Sequence, residues 1–244
     1  MTRSWKKTGV GRRRGRRGRR RGRRGGRRRR RRRGLSVLVE VFEAGPVATN
    51  GYLIADRPGG VAAVVDAPQG VAARMIAQAR EWQTPIRFIL NTHGHWDHIW
   101  DNAALQRLSG AKLGIHRDSA PLLAIQQARY FGLAETMEAS RPDFFLAEGA
   151  AVELGTLRWE ILDCPGHCPG SVTLYERHEQ VALVGDVLFA GSIGRTDLPG
   201  GDHATLLRSI RTKLLTLPDA VRVLPGHGPA TTIGRERRRN PFLA

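Results

Sequence analysis

A cluster of three histidines and one aspartate in the middle of the chain restricts its fold and chemistry more than any other feature. The segment 92–98 reads Thr-His-Gly-His-Trp-Asp-His, and it directly follows Phe88-Ile89-Leu90-Asn91, which is typical of the end of a buried strand. A loop at the end of a strand can direct several side chains to one point, and imidazole with carboxylate is the ligand set that suits Zn²⁺ or Fe²⁺. The segment therefore predicts a metal site.

The spacing within this segment separates it from other histidine patterns. A single histidine in a polar loop more often bonds to backbone or water, but four ligand-type residues in so short a stretch make that interpretation weak. The helical zinc-protease motif needs histidines at i and i+4 with a glutamate between them. His93 and His95 are two residues apart, so an extended backbone points both side chains to one side.

Three later segments offer further ligands. Each follows a predicted strand and contains a glycine, which lets the backbone approach a neighbour closely. The ligand-type residues in these segments are His167, Asp186 and His227. Alone, each is compatible with an ordinary turn that carries an incidental polar residue. Together with the loop at 92–98 they give five histidines and two aspartates, enough for two metal positions that share one carboxylate.

The hydrophobic pattern of the remaining chain predicts one α/β domain of about 210 residues, which suffices for a single large core. We predict strands at 36–42, 51–55, 61–66, 86–91, 111–115, 151–154, 157–162, 171–175, 180–184 and 221–224, and helices at 71–82, 102–109, about 118–138 as a pair, about 203–216 and about 231–239. Strands in two groups, each followed by helices, indicate two sheets packed face to face with helices outside.

The N-terminal tail carries nearly all of the excess charge. The formal net charge is +18, but residues 1–33 contain 18 Arg and 2 Lys and no acidic residue, which leaves 20 Lys+Arg against 22 Asp+Glu in the rest of the chain. The body of the protein is therefore slightly acidic, with a formal net charge of −2. Any inference toward nucleic acid applies to the tail alone.

We expect residues 1–34 to be disordered, because an Arg/Gly-rich segment has too few apolar residues to offset the entropy of ordering. Such a polycation would bind nucleic acid or anionic membranes non-specifically. We favour the alternative that this tail is an accidental extension upstream of the true start, with the functional domain at 35–244. The hydrophobic pattern indicates neither a secretory signal nor a membrane span, so we expect a cytoplasmic protein. No residue pattern predicts its oligomeric state.

The chain has two cysteines, Cys164 and Cys168, on either side of His167. In the reducing compartment expected here they form no structural disulfide. A role as metal ligands stays open, but the Cys-x-x-x-Cys spacing, with nothing comparable elsewhere, disfavours a structural zinc site.

The order His-x-His-x-Asp-His, Pro-Gly-His, Gly-Asp and Pro-Gly-His-Gly resembles the metallo-β-lactamase fold superfamily over residues 36–243. The resemblance implies an αββα sandwich of two mixed β-sheets with helices on both outer faces and a dinuclear metal site at one edge. It implies two Zn²⁺ ions per chain, with iron or manganese as alternatives. Carried over by position, the first ion is held by His93, His95 and His167, the second by Asp97, His98 and His227, and both by Asp186.

A narrower resemblance links the segments 191–202 and 237–242 to hydrolases related to glyoxalase II, the hydroxyacylglutathione hydrolases. These enzymes cleave a small-molecule glutathione thioester such as S-lactoylglutathione. The resemblance implies that Asp97 and Asp186 are the catalytic carboxylates, Asp97 by orienting the nucleophile and Asp186 by bridging the ions. Arg195 is a candidate for binding a substrate carboxylate, although an ion pair with a nearby aspartate is equally compatible. Asp66, at the end of a strand, is expected to bond to a ligand imidazole or to cap the strand end.

Two other classes of function remain open from the sequence. The Gly-Arg-Thr-Asp segment beginning at Gly194 is also similar to persulfide dioxygenases, which use one iron held by two histidines and one aspartate. The complete second ligand set and His227-Gly228 favour the hydrolase. An RNA-binding or RNA-processing protein is the third hypothesis, and it depends only on the Arg-rich tail.

Overall fold

Two β-sheets form the centre of the described chain. The computed structural model describes residues 37–125, 132 and 134–243. The strands are β1 (Leu38–Ala44), β2 (Thr49–Ala55), β3 (Ala62–Val65), β4 (Ile86–Leu90), β5 (Lys112–His116), β6 (Phe144–Leu146), β7 (Ala151–Leu154), β8 (Leu157–Asp163), β9 (Val172–Glu176), β10 (Val181–Gly185), β11 (Leu188–Phe189), β12 (Ser192–Ile193), β13 (Arg222–Pro225) and β14 (Thr231–Thr232). The helices are α1 (Ala72–Glu81), α2 (Trp96–Ile99), α3 (Asn102–Ser109), α4 (His203–Ser209) and α5 (Ile233–Arg239), with a 3₁₀ helix at Ala120–Ala124 and a π-helical continuation of α4 at Ile210–Leu214.

Both large sheets are mixed. The first has the order β1-β2-β3-β4-β5-β6, antiparallel from β1 to β3 and parallel from β3 to β6. The second has the order β14-β13-β10-β9-β8-β7 and is antiparallel except where β10 runs parallel to β13. Strands β11 and β12 form a separate two-stranded hairpin.

Alternation along the strands divides the core into three layers. In β2, Leu53 packs with the helices of the first sheet, whereas the next residue, Ile54, faces the second sheet. In β10, Leu183 faces the first sheet and Val184 packs beneath α4 and α5. Because successive side chains of a strand point to opposite faces, strands that are buried on both faces read as continuous apolar runs. The layer order is helix, sheet, sheet, helix, and the expected αββα sandwich is confirmed.

The two sheets are joined by hydrogen bonds at one end of the sandwich. The Asn50 amide side chain donates to the carbonyl oxygens of Pro225 and Gly228, at 3.1 and 2.9 Å. The Tyr52 hydroxyl donates to the same Pro225 oxygen at 2.7 Å, and the Asn50 backbone N–H donates to Gly226 at 2.7 Å. The start of β2 is therefore fixed to the loop that follows β13.

Several predictions of local structure were incomplete. We expected a pair of helices at about 118–138, but the structure has only the short 3₁₀ helix at the start of the described part of this range. It ends before Ile125, whose backbone is extended. The rest of that prediction lies partly at residues 126–131 and 133, outside the described residues, as does the whole tail 1–34. Strand β6, helix α2 and the hairpin β11–β12 were not predicted. Within the described ranges, no helix has the length and apolar character required to cross a bilayer.

Candidate metal centre

The seven side chains singled out as ligands meet at one edge of the sandwich, each in a segment that follows a strand. His93, His95, Asp97 and His98 follow β4, His167 follows β8, Asp186 follows β10, and His227 follows β13. His95 has an extended backbone and directly precedes α2, whose single turn carries Asp97 and His98. The β-strand geometry therefore brings together residues separated by up to 134 positions in sequence.

Three imidazoles form the first ligand group. His95 Nδ1 lies 3.1 Å from His93 Nε2 and 2.9 Å from His167 Nε2. The ring pairs meet edge to face, with centroids between 4.6 and 4.9 Å apart. Three nitrogen atoms from three rings therefore point to one position, which is the arrangement that a tetrahedral cation requires from its first three ligands.

The second group combines a carboxylate with two imidazoles, and Asp186 lies between the groups. Asp97 Oδ2 is 3.3 Å from His98 Nε2 and 3.3 Å from His227 Nε2. Asp186 Oδ1 lies 3.4 Å from His98 Nε2, while its Oδ2 lies 3.4 Å from His227 Nε2 and 3.6 Å from His167 Nε2. One carboxylate thus reaches nitrogen atoms of both groups.

Hydrogen bonds behind the first group determine which nitrogen of each ring faces inward. His167 Nδ1 lies 2.7 Å from the Arg195 carbonyl oxygen, so it carries the proton and donates it. The Thr92 hydroxyl donates to Asp66 at 2.7 Å and therefore accepts from His93 Nδ1, 3.1 Å away. In both neutral rings the proton sits on the outer nitrogen, and the inner nitrogen presents its lone pair.

The second group is held in the same way. His98 Nδ1 lies 2.8 Å from Asp66 Oδ2, and His227 Nδ1 donates to the Val47 carbonyl oxygen at 3.1 Å. Asp97 Oδ2 accepts the Thr49 hydroxyl at 2.7 Å. Asp66 itself also accepts the Thr92 backbone N–H at 2.8 Å. This single buried carboxylate thereby supports His98 directly and His93 through Thr92.

Burial and charge separate the pKa values of the two groups. Burial lowers the pKa of His93 well below its usual value, and neighbouring His98 and His95 lower it further. Burial, with His167 next in effect, lowers the pKa of His95 to about 4, and burial also lowers the pKa of His167. The first group therefore consists of neutral rings at pH 7, which is the form that binds a metal.

The carboxylates have the opposite effect on the second group. Burial acts to lower the pKa of His98, but the charges of Asp97 and Asp186 outweigh it and raise that pKa well above its usual value. Burial likewise opposes the charged form of His227, and hydrogen bonds to Asp186 and Asp97 raise its pKa to about 10. Burial tends to raise the pKa of Asp186, but His98 and His227 lower it strongly. A cation competes with these protons for the same inward-facing atoms.

The arrangement fits divalent cations. Within the described part of the chain, His98 Nε2 and Asp186 Oδ1 are fully buried polar atoms without a hydrogen-bond partner, and both belong to the predicted ligand set. A Cβ atom at Gly226 would overlap Asp186 Oδ1 and come within 2.6 Å of His98, so only glycine leaves this space open. Unpaired buried donors and acceptors are costly unless a further group binds them, and a cation held by His98 and Asp186 would satisfy that requirement.

A cavity of about 180 Å³ opens above the two groups. Val47, Trp96 and Leu198 provide apolar walls, and Arg195 lies at the rim. The Arg195 guanidinium donates two hydrogen bonds of 2.7 Å to the carboxylate of Asp197. These bonds, followed by a backbone hydrogen bond, lower the pKa of Asp197 to about 2. The ion pair considered for Arg195 is therefore formed, and the substrate contact remains a prediction.

Neither cysteine belongs to the ligand groups found among the described residues. Both are free thiols and both are buried. Cys164 packs in the core layer under α4 and α5, where burial raises the pKa of its thiol to about 12. Cys168 lies beneath the loop of Ser119, 3.4 Å from the Pro169 carbonyl oxygen. A thiol that stays protonated is a poor metal ligand, and packing is the role that these positions support.

The sequence interpretation missed several residues that support the site. Thr49 lies outside the predicted strands and was given no role, and Thr92 was considered only as part of the loop at 92–98. Glu236 is fully buried in α5 and accepts the Gly191 N–H at 2.8 Å, which anchors the hairpin β11–β12 beside the cavity. Polar residues at the start of an otherwise apolar strand, such as Thr49-Asn50, are the one signal in the sequence that points to such roles.

Comparison with known proteins identifies the family of this chain. Residues 44–227, which include all seven side chains, match the metallo-β-lactamase superfamily. The hydroxyacylglutathione hydrolase GloC of Haemophilus influenzae is 43% identical over 186 residues, 75% of this chain and 87% of GloC. Among solved structures, the B3 metallo-β-lactamase BLEG-1 is similar with a TM-score of 0.79 and 37% identity, over 85% of this chain and 100% of that one. TTHA1623 in a di-iron-bound form has a TM-score of 0.75 and 35% identity, over 84% and 100%. The chain therefore belongs to the metallo-β-lactamase superfamily, as a metal-dependent hydrolase.

Proposed function

We propose that this protein hydrolyses a hydroxyacyl thioester of glutathione, of the S-lactoylglutathione type, at a site with two divalent ions. The observation that carries the proposal is the 43% identity to a hydroxyacylglutathione hydrolase, in a chain whose seven ligand-type side chains converge. Zinc is the ion that the imidazole-rich first group favours, with iron or manganese as alternatives.

The proposed roles of the residues follow from their positions. His93, His95 and His167 would hold one ion, Asp97, His98 and His227 the other, and Asp186 would contact both. Bound divalent ions supply Lewis acidity and lower the pKa of water toward neutrality. Asp97 and Asp186 line the cavity floor, where their carboxylates are placed to accept a hydrogen bond from the attacking water and orient it.

The cavity limits which part of a substrate is enclosed. At about 180 Å³ it is smaller than the roughly 300–1,000 Å³ of pockets that enclose drug-sized ligands. In the proposed complex the acyl group and the thioester would enter the cavity, whose apolar lining includes Val47 and Leu198, and the glutathionyl part would extend past Arg195. A thiol leaving group ionises near pKa ~8.5, so its departure needs less help from a general acid than that of an amine.

The most direct test compares the turnover of several substrates by one preparation of known metal content. The purified chain is assayed with S-lactoylglutathione, a glutathione persulfide and a β-lactam, and its metals are quantified by mass spectrometry. We expect about two ions per chain and turnover of the thioester well above that of the other two. One iron per chain with oxygen consumption would instead indicate the dioxygenase.

Hydrolysis of a β-lactam is the second candidate, because BLEG-1 is similar over 85% of this chain. The same two groups of ligands suit an amide carbonyl, but an amine leaving group needs protonation and none of the described cavity-lining residues is an obvious general acid other than the ligands themselves. Preferential turnover of the β-lactam in the substrate comparison would replace our first proposal.

We predict that the Arg195 side chain contributes to substrate binding more than to the chemical step. The guanidinium is exposed and already paired with Asp197. An ion pair between Arg195 and the substrate would therefore stabilise the bound substrate by roughly 0.2–1 kcal/mol, which corresponds to a change in KM of up to about five-fold. Arg195→Ala should raise KM for S-lactoylglutathione with kcat little changed, and Asp197→Asn should lower KM because it removes the competing carboxylate. Steady-state kinetics at low and high salt checks this, and equal KM values in the wild type and both variants would exclude a role for Arg195.

A further inference from the structure

Thr49 lies outside the predicted ligand set but contacts the second group through both its side chain and its backbone. It is fully buried at the start of β2, and its hydroxyl donates to Asp97 Oδ2 at 2.7 Å. The same Oδ2 lies 3.3 Å from the inward nitrogen atoms of His98 and His227. The hydroxyl thus acts on the one oxygen atom that faces both imidazoles.

The backbone of Thr49 fixes the other side of the same group. Thr49 forms an isolated antiparallel bridge with His227, and the neighbouring Asn50 N–H donates to Gly226 at 2.7 Å. Asp97 and His227 come from loops 130 residues apart in the chain, one after β4 of the first sheet and one after β13 of the second. Thr49 is the residue that ties both of them to β2.

Among the described residues, the hydrogen bonds behind His93 and His167 come from segments other than β2. His93 is supported by Thr92, which belongs to its own loop, and His167 by the Arg195 carbonyl oxygen. A change in the Thr49 side chain therefore alters the support of one group and leaves the other intact. Thr49→Val keeps the β-branched shape in a buried strand and replaces the hydroxyl with a methyl group, which cannot donate to Asp97.

We propose that Thr49 is a positioning residue that sets the affinity for the second ion, by holding the Asp97 carboxylate toward His98 and His227. An aspartate side chain that loses this hydrogen bond is free to rotate, and its Oδ2 no longer has one fixed position. Outer partners of metal ligands typically change affinity by 10–100-fold. The inference rests on the two-ion assignment of the proposed function, but not on the identity of the substrate.

The test measures metal binding directly. Metal-depleted wild type, Thr49→Val and Thr49→Ser are titrated with Zn²⁺ against a chromophoric chelator, which resolves the two dissociation constants. We expect Thr49→Val to weaken one of the two sites by about ten-fold or more while the other stays within about two-fold. Thr49→Ser keeps the hydroxyl donor, so it should retain most of the wild-type affinity for both ions.

Thr84→Val provides a matched control. Thr84 is also buried, and its hydroxyl donates to the Trp82 carbonyl oxygen at 2.9 Å, but it precedes β4 and so lies at the end of that strand opposite to the metal loop. This variant should lose stability without a change in either dissociation constant. Equal affinities in Thr49→Val and wild type, or equal weakening of both sites, would overturn the inference. If the wild type binds two ions but does not turn over the thioester, the proposed substrate is rejected, and selective weakening of one site in Thr49→Val would still support the role of Thr49.

Discussion

Replacing Asp186 with asparagine is expected to reduce thioester turnover by about 10³-fold or more, because the oxygen atoms of this carboxylate face both ligand groups. The amide keeps the size of the side chain but removes its charge and one acceptor atom. Metal-ion catalysis contributes several kcal/mol of transition-state stabilisation, and each 1.36 kcal/mol corresponds to a factor of ten in rate. We therefore expect both kcat/KM for S-lactoylglutathione and the metal content to be lower in Asp186→Asn than in the wild type.

The measurement combines kinetics, metal analysis by mass spectrometry and circular dichroism on the same preparation. Glu81→Gln makes the same chemical change at an exposed carboxylate on α1 and should behave as wild type. His95→Ala removes a ligand from the first group only and should also abolish turnover. Near-normal rates in well-folded Asp186→Asn and His95→Ala would show that hydrolysis does not depend on this centre.

The metal loop could be predicted from sequence because its ligands are close together in the chain. Three histidines and an aspartate within six residues leave few other interpretations, and the strand before them could be recognised from the apolar residues Phe88-Ile89-Leu90. His167, Asp186 and His227 are weak signals individually. These three residues could be recognised as parts of one site only because each follows a strand and because the whole set resembles a known family.

The elements that were missed depend on contacts between distant parts of the chain. Strand β6 has only three residues, and it forms by parallel pairing with β5, where Phe144 lies opposite Gly114. A Cβ at Gly114 would overlap the Phe144 ring, so this pairing requires glycine at a position that sequence reading treats as a weak strand residue. The helix expected after residue 118 followed local propensity, which the extended backbone at Ile125 overrides.

The supporting hydrogen bonds were equally inaccessible. Thr49 and Asp97 are 48 residues apart, and Thr92 and Asp66 are 26 apart. No periodicity or spacing connects such pairs, because the bond depends on how two strand ends meet in the folded sheet. Asp66 was identified from its position at the end of β3, but its contact with Thr92 could not be anticipated.

Replacing Asp66 with asparagine is expected to weaken metal binding and turnover by about 10–100-fold. Asp66 accepts the Thr92 N–H and hydroxyl and also lies 2.8 Å from His98 Nδ1. An asparagine has one acceptor oxygen, and its NH₂ group is a donor, so it cannot satisfy all three of these contacts. His98 would lose the partner that fixes its ring, and Thr92 would lose the acceptor through which Asp66 supports His93.

The chain offers a close control for this variant in Asp56. Asp56 is another buried aspartate that accepts the N–H and the hydroxyl of a threonine, Thr156, at 3.2 and 3.4 Å. It follows β2, whereas Asp66 follows β3, and because these strands are antiparallel the two aspartates lie at opposite ends of the sheet. Asp56→Asn should therefore change the free energy of unfolding without changing metal affinity, whereas Asp66→Asn should change both. If the two variants weaken metal binding equally, Asp66 acts through general stability, and if neither does, the ring of His98 is positioned by packing rather than by the carboxylate.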